Sequence, residues 1–131
     1  VQHYQKLIDE MHSVMKTGGT GIVTIPWSAR YHYIPYDFFR YTPSSLKTMF
    51  SKFSEAKIKN RGTDIANIAN KVIVLWFRNL LPSAIWKFIF VPIWIALSPI
   101  LMTVVVIAHI SLLFNLGSEN DPLGYTIILK K

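Results

Sequence analysis

Residues 20–26, TGIVTIP, are apolar, rich in β-branched side chains and closed by a proline. That is the pattern of a strand buried on both faces, and such strands belong to parallel sheets. Upstream, Tyr4, Leu7, Ile8, Met11, Val14 and Met15 recur at helical spacing, so an amphipathic helix is expected over 3–16, ended by Gly18 and Gly19. Downstream, Trp27 to Tyr41 form a loop at the carboxyl end of the strand, where open α/β sheets hold their ligands. Thr42 is a good N-cap and Pro43 a good first helical residue, and Leu46, Met49, Phe50 and Phe53 then continue at i, i+3, i+4 and i+7. In EAKIKNRG, residues 55–62, apolar and basic residues alternate, which predicts a strand with one wet face; GYTIILKK, residues 124–131, predicts another. Helix, strand, loop, helix, strand is half of a doubly wound α/β domain, and half a domain cannot bury both faces of its sheet.

The loop is unusual for a loop. HYIPYDFFRYTP, residues 32–43, packs five aromatic rings around a proline, an aspartate and an arginine. Surface loops are ordinarily polar, so this much apolar bulk is expected to cover a ligand, a substrate or another domain.

Charge is distributed unevenly. The chain of 131 residues carries a net charge of +7, and of its 14 basic residues all but Lys130 and Lys131 lie at or before Lys87. From Phe88 to Ser118 there is no Asp, Glu, Lys or Arg. A basic part beside an uncharged apolar part points to an anionic membrane surface before nucleic acid. Lys57, Lys59 and Arg61 are read as the solvated face of a strand rather than a phosphate-binding patch, and no nucleic-acid module is visible, so no nucleic-acid partner is expected. The absence of cysteine leaves no disulfide framework and no thiolate metal site, which fits a reducing compartment. No secretory leader is legible at the start, and a chain that begins with Val1 is expected to be part of a longer one.

Three segments together resemble the carboxyl-terminal half of the class I S-adenosylmethionine-dependent methyltransferases. VMKTGGTGIVTIP is similar to the helix, Gly-Gly turn and fifth strand of that family, with Thr17 where Pro is usual. HYIPYDFFRYTPSSLKTMF resembles the His-x-x-Pro-x-Asp-Tyr-x-Arg-Tyr-Thr block of one bacterial branch, with His32, Pro35, Asp37, Arg40, Tyr41 and Thr42 in place and Phe38 where Tyr is common. DPLGYTIILKK resembles the last strand, which in the family runs antiparallel between its neighbours. The usual glycine before Phe53 is missing. The resemblance implies an α/β fold, the last strands and helices of a Rossmann-like methyltransferase sheet, with residues 1–63 and 121–131 forming that domain and 64–120 an apolar helical insertion. It also implies S-adenosylmethionine as cofactor in the full-length protein, and an enzyme that methylates an unknown acceptor, lipid-linked or glycan molecules being candidates. The glycine-rich turn and acidic ribose ligand that hold the cofactor in this family have no counterpart here. Gly19-Thr20-Gly21 lacks the third glycine and precedes its strand, so the cofactor-binding residues are unknown and the 131 residues alone are expected to be inactive.

The site residues follow from the loop. His32 is the candidate general base, since its ordinary pKa suits that role near neutrality, or else it hydrogen-bonds the loop backbone. Asp37 and Arg40, three apart, either pair with each other or leave Arg40 to clamp a phosphate or carboxylate of the acceptor. Trp27, Tyr31, Tyr33, Tyr36 and Tyr41 are candidate walls of an acceptor pocket, or a lid packed on another half of the domain. His3, His12 and His109 show no spacing that suggests a metal site.

Phe88 to Phe114 exceeds the ~20 residues that a helix needs to cross a bilayer, though Pro92 and Pro99 interrupt it. A single crossing would strand residues 124–131 across the membrane from the sheet they complete. The run is therefore expected to return, as an in-plane helix, a re-entrant hairpin or two crossings. The in-plane, monotopic form is preferred, with Lys71, Arg78 and Lys87 on anionic headgroups and Trp76, Trp86 and Trp94 near the interface. The expected location is the cytoplasmic side of the cell membrane, peripheral or monotopic, with the lipid surface as a partner. The competing expectations are a helical subdomain that packs on itself or on another subunit, a non-catalytic membrane-binding module, and a small membrane protein with two spans.

Overall fold

Alternating apolar residues place three strands: β1, Thr20–Pro26; β2, Glu55–Arg61; and β3, Gly124–Lys130. β3 lies between the other two and runs antiparallel to both. Ile127 faces Val23 on one side and Ile58 on the other, so Val23, Ile25, Ala56, Ile58, Tyr125, Ile127 and Leu129 share one face of the sheet. Two helices cover that face: α1, Tyr4–Val14, and α2, Pro43–Met49. Ile8 of α1 and Leu46 of α2, joined by Phe50 and Phe53 just after α2, pack on Tyr125, Ile127 and Leu129 to form the core, in which Leu46, Ile127 and Leu129 are 0% exposed. The computed structural model describes residues 2–131.

The molecule is thus α/β with a three-stranded antiparallel sheet. Two local expectations need correction. No parallel pairing occurs among the described residues, and β1 is not buried on both faces: its side chains alternate between half-buried and exposed, with Ile22 70% exposed. A strand buried on one face and a strand buried on two differ only in what covers the second face, and no described element covers it here. The second helix also stops at Met49 rather than continuing through Phe53. Thr42 caps it as expected, its Oγ1 accepting from the Ser45 N–H at 3.2 Å, but after Met49 the chain tightens into a turn in which the Phe53 N–H donates to the Phe50 carbonyl. Phe53 still reaches the core, now from that turn.

The chain divides into two compact units, one running up to Arg61 and resuming at Pro122–Lys131, the other Gly62–Asp121. The second unit is a helical hairpin: α3, Asp64–Leu80; a 3₁₀ helix, Ile85–Phe90; and α4, Val91–Leu113. Its helices run antiparallel, since Asp64 meets Ser118 at one end and Trp76 Nε1 donates to Ser98 Oγ at 3.0 Å further along. Small buried residues, Ala66 and Ala69 on α3 and Ala108 and Ser111 on α4, let the helices approach closely. The base is tied by Asp64 Oδ1, which accepts from the Ser118 N–H at 2.9 Å, and by Asn67 Nδ2, which donates to Asp121 Oδ2 at 2.9 Å.

Candidate functional site

The loop after β1 is built around one carboxylate. Arg40 donates through both terminal nitrogens to the two oxygens of Asp37, with Nη2 at 2.6 Å from Oδ2. Arg40 also donates to the backbone carbonyls of Phe39, Ala29 and Arg30, so its guanidinium ties the start of the loop to its end. The arginine hydrogen bond first, and the His32 backbone N–H second, hold the Asp37 carboxyl far below the usual carboxylate range, and the Asp37 hydrogen bond raises Arg40 in turn. Of the two roles weighed for this pair, the structure places it as an internal clasp.

His32 is held at two points. Its backbone N–H donates to Asp37 Oδ2 at 3.1 Å, and its Nδ1 lies 2.6 Å from the Arg30 carbonyl oxygen. A carbonyl can only accept, so Nδ1 carries the proton in the neutral ring and Nε2 keeps the lone pair. The side chain is half exposed. The geometry shows His32 anchored to the loop backbone through Nδ1, the second of the two roles considered for it. Beside it Tyr33 adopts φ 55°, a left-handed conformation uncommon for a bulky residue and the kind of strain that collects at ligand sites.

The loop walls a cleft of about 480 Å³, which takes in His32 and three of the candidate walls, Tyr33, Tyr36 and Tyr41. Tyr41 is partly buried there against Tyr4, and burial first, then Tyr4, pushes its phenol upward. The other two candidate walls lie elsewhere. Trp27 packs against the core with its ring 6.3 Å from that of Tyr125, and Tyr31 sits 63% exposed on a shallow groove with Ala29, outside the cleft. The rest of the lining comes from α1, with Tyr4, Leu7 and Met11, from β1, with Val23 and Ile25, and from Met49 at the end of α2. Tyr4 stacks edge-on with Phe39 and Tyr41 at 5.6 and 5.8 Å. The helical spacing of the α1 residues gives only an amphipathic face, and Tyr4 and Met11 also pack against the core.

Chemically, the cleft offers apolar walls, an imidazole and phenols, and no free acidic group, because Asp37 is paired with Arg40. No three His, Cys, Asp or Glu residues gather into a metal site among the described residues. The glycine turn does not cradle a nucleoside either: the Gly18 N–H donates to the Lys131 carbonyl and the Gly19 N–H to that of Lys16. These residues therefore do not by themselves fit S-adenosylmethionine. No protein-family model, no curated protein and no solved structure matches the chain.

Proposed function

We propose that the sheet unit is the acceptor-side half of an S-adenosylmethionine-dependent methyltransferase with a Rossmann-like sheet, working at a membrane, and that the cofactor is held by polypeptide outside these residues. The observation that carries the reading is the contrast between the two edges of the sheet. β2, at one edge, bears Lys57, Lys59 and Arg61, the charges that keep an edge strand from pairing further. β1, at the other edge, has no charged residue and leaves Ile22 in the open. An uncharged edge beside an uncovered apolar residue is where a sheet continues. Further parallel strands and a second helical layer there would turn β1 into the strand buried on both faces that its sequence describes.

In this reading the loop places the acceptor in the cleft at the carboxyl end of β1. Tyr4, Tyr36 and Tyr41 flank the acceptor, the Asp37–Arg40 clasp fixes the loop, and His32 Nε2 takes the acceptor's proton where the nucleophile needs to lose one. The acceptor is of unknown identity, and the apolar walls favour a molecule with hydrocarbon or sugar faces, as on a lipid-linked carrier.

Isothermal titration with S-adenosylmethionine tests this on two proteins, the 131-residue chain and the product of the whole reading frame that encodes it. No binding to the first and micromolar binding to the second is expected. Saturable binding to the 131 residues would show that the cofactor half is not missing; no binding to the whole product would end the methyltransferase reading and leave a membrane-binding module.

A further inference from the structure

We infer that the hairpin lies flat in one leaflet of an anionic bilayer, with α4 submerged in the hydrocarbon and α3 above it at the level of the headgroups. This deepens the membrane part of the proposed function and does not depend on methyl transfer. The 3₁₀ helix and α4 form a helical stretch of 29 residues, Ile85–Leu113, long and apolar enough to cross a membrane, and its most apolar part is not buried inside the molecule. Ile93, Ile100 and Ile107, seven residues apart, are each more than half exposed. A water-soluble surface does not carry such a row, and a face of this length needs an apolar partner.

Lipid is favoured over protein by how α4 treats its own polar groups. Each of its hydroxyls is satisfied by a carbonyl of its own helix: Ser98 Oγ donates to Trp94, Thr103 Oγ1 to Pro99 and Ser111 Oγ to Ala108. His109 Nδ1 lies 2.8 Å from the Val105 carbonyl in the same way. Internal satisfaction of this kind is what hydrocarbon demands, because no water is there to supply a partner.

The direction of the hairpin follows from α3. Lys71 and Arg78, both exposed, are seven apart and so form a row nearly parallel to the helix axis, opposite the Ala66, Ala69 and Trp76 side that packs on α4. The two are separated by about 10 Å along the axis. Were the hairpin upright, Lys71 and Arg78 would sit at different depths, and Lys87 near the tip would go deepest, each at ~2.5–3.5 kcal/mol near the bilayer centre. Lying flat, the row shares one depth at the headgroups, where exposed Ile68 and Leu75 beside the charges dip into the interface. Lys87, 5.5 Å over the Trp86 ring, adds a cation beside an interfacial aromatic. The ends of the hairpin meet at Asp64–Ser118 and Asn67–Asp121, so both enter the membrane from one side.

The chain has no cysteine, so single substitutions report depth directly. Lys71→Cys, Arg78→Cys, Lys87→Cys, Glu119→Cys, Ile100→Cys and Ile107→Cys are each bound to sealed vesicles of phosphatidylcholine and phosphatidylserine, then treated with an impermeant maleimide from outside. Labelling at 71, 78, 87 and 119 with protection at 100 and 107 is expected. Protection of 78 and 87 while 119 labels would mean an upright or spanning hairpin and would overturn the proposal. So would a protein that stays off the vesicles, or one in which 100 and 107 are protected without lipid, the mark of a second protein copy as the partner. Replacing Lys71 and Arg78 by Gln is expected to weaken partitioning onto the anionic vesicles about fivefold per residue and to leave neutral vesicles unaffected. Equal loss on both would remove the headgroup contact. A negative titration with S-adenosylmethionine changes none of these readouts.

Discussion

Arg40 closes on Asp37 through both of its terminal nitrogens, and the same carboxylate receives the backbone N–H of His32. One charge pair therefore sets the position of the candidate base. Truncating Arg40 removes a clasp, and the histidine moves with it.

The first expectation concerns acid. The folded-state pKa of Asp37 lies below its unfolded value of ~3.9, so the clasp's contribution is fully present above that value and is lost as pH falls from there through the folded value. The protection of the His32 amide, its exchange rate relative to the same amide unfolded, should hold from neutrality to mildly acidic pH and fall away below the ordinary carboxylate range. Asp37→Ala should abolish that protection at every pH. Unchanged exchange in that variant would mean the loop is ordered by its aromatic rings alone.

The second concerns chemistry in the whole reading-frame product. If the proposed methyltransferase uses His32 Nε2 as its base, His32→Ala should lower turnover by about 10²-fold while cofactor affinity stays the same. Arg40→Ala should lower it too, by displacing the imidazole. If turnover survives both, the cleft binds without proton removal.

Much of this was legible because it is local. Thr42-Pro43 starts a helix wherever it stands, and alternation in residues 55–61 makes one wet face whatever the neighbours. What was not legible depends on distant partners. TGIVTIP reads the same whether or not a second layer covers Ile22, so its sequence described a burial that the described residues do not supply. The α1 stripe reads as one apolar face, yet Tyr4 and Leu7 also line the cleft, where Phe39 and Tyr41 of the loop meet Tyr4. Trp27 follows the strand and reads as the first residue of the loop, but its backbone N–H bonds the Leu123 carbonyl and keeps it on the sheet.

A third expectation separates the two faces of the sheet. Ile127→Ala empties a fully buried site and should cost about 2–5 kcal/mol, read from the denaturant midpoint at constant slope. Ile22→Ala should stay within ~0.5 kcal/mol in the 131-residue chain, where the side chain faces outward. In the whole product the same change should cost as much as a core truncation. An Ile22 substitution that is silent in both proteins would leave the β1 edge without a partner and remove the main support for a larger sheet.

The last concerns the base of the hairpin, where Gly117 adopts φ 99°. A Cβ added there would stand 2.6 Å from Asp64 Oδ1 and 3.0 Å from Thr63 Oγ1. Asp64 Oδ1 cannot yield freely, since it accepts from both the Ile65 and the Ser118 N–H. Gly117→Ala therefore meets a backbone penalty and a steric one together. Gly18→Ala is the matching control, because Gly18 also has positive φ, 74°, but nothing lies within 4 Å of the added carbon. The control should cost about 1–2 kcal/mol, the conformational penalty alone. Gly117→Ala should cost more and should free the Ser118 amide to exchange, while amides of β3 remain protected by their pairing with β1 and β2. Equal costs in the two variants would mean that Asp64 swings aside and that the hairpin is closed by Asn67 and Asp121 instead.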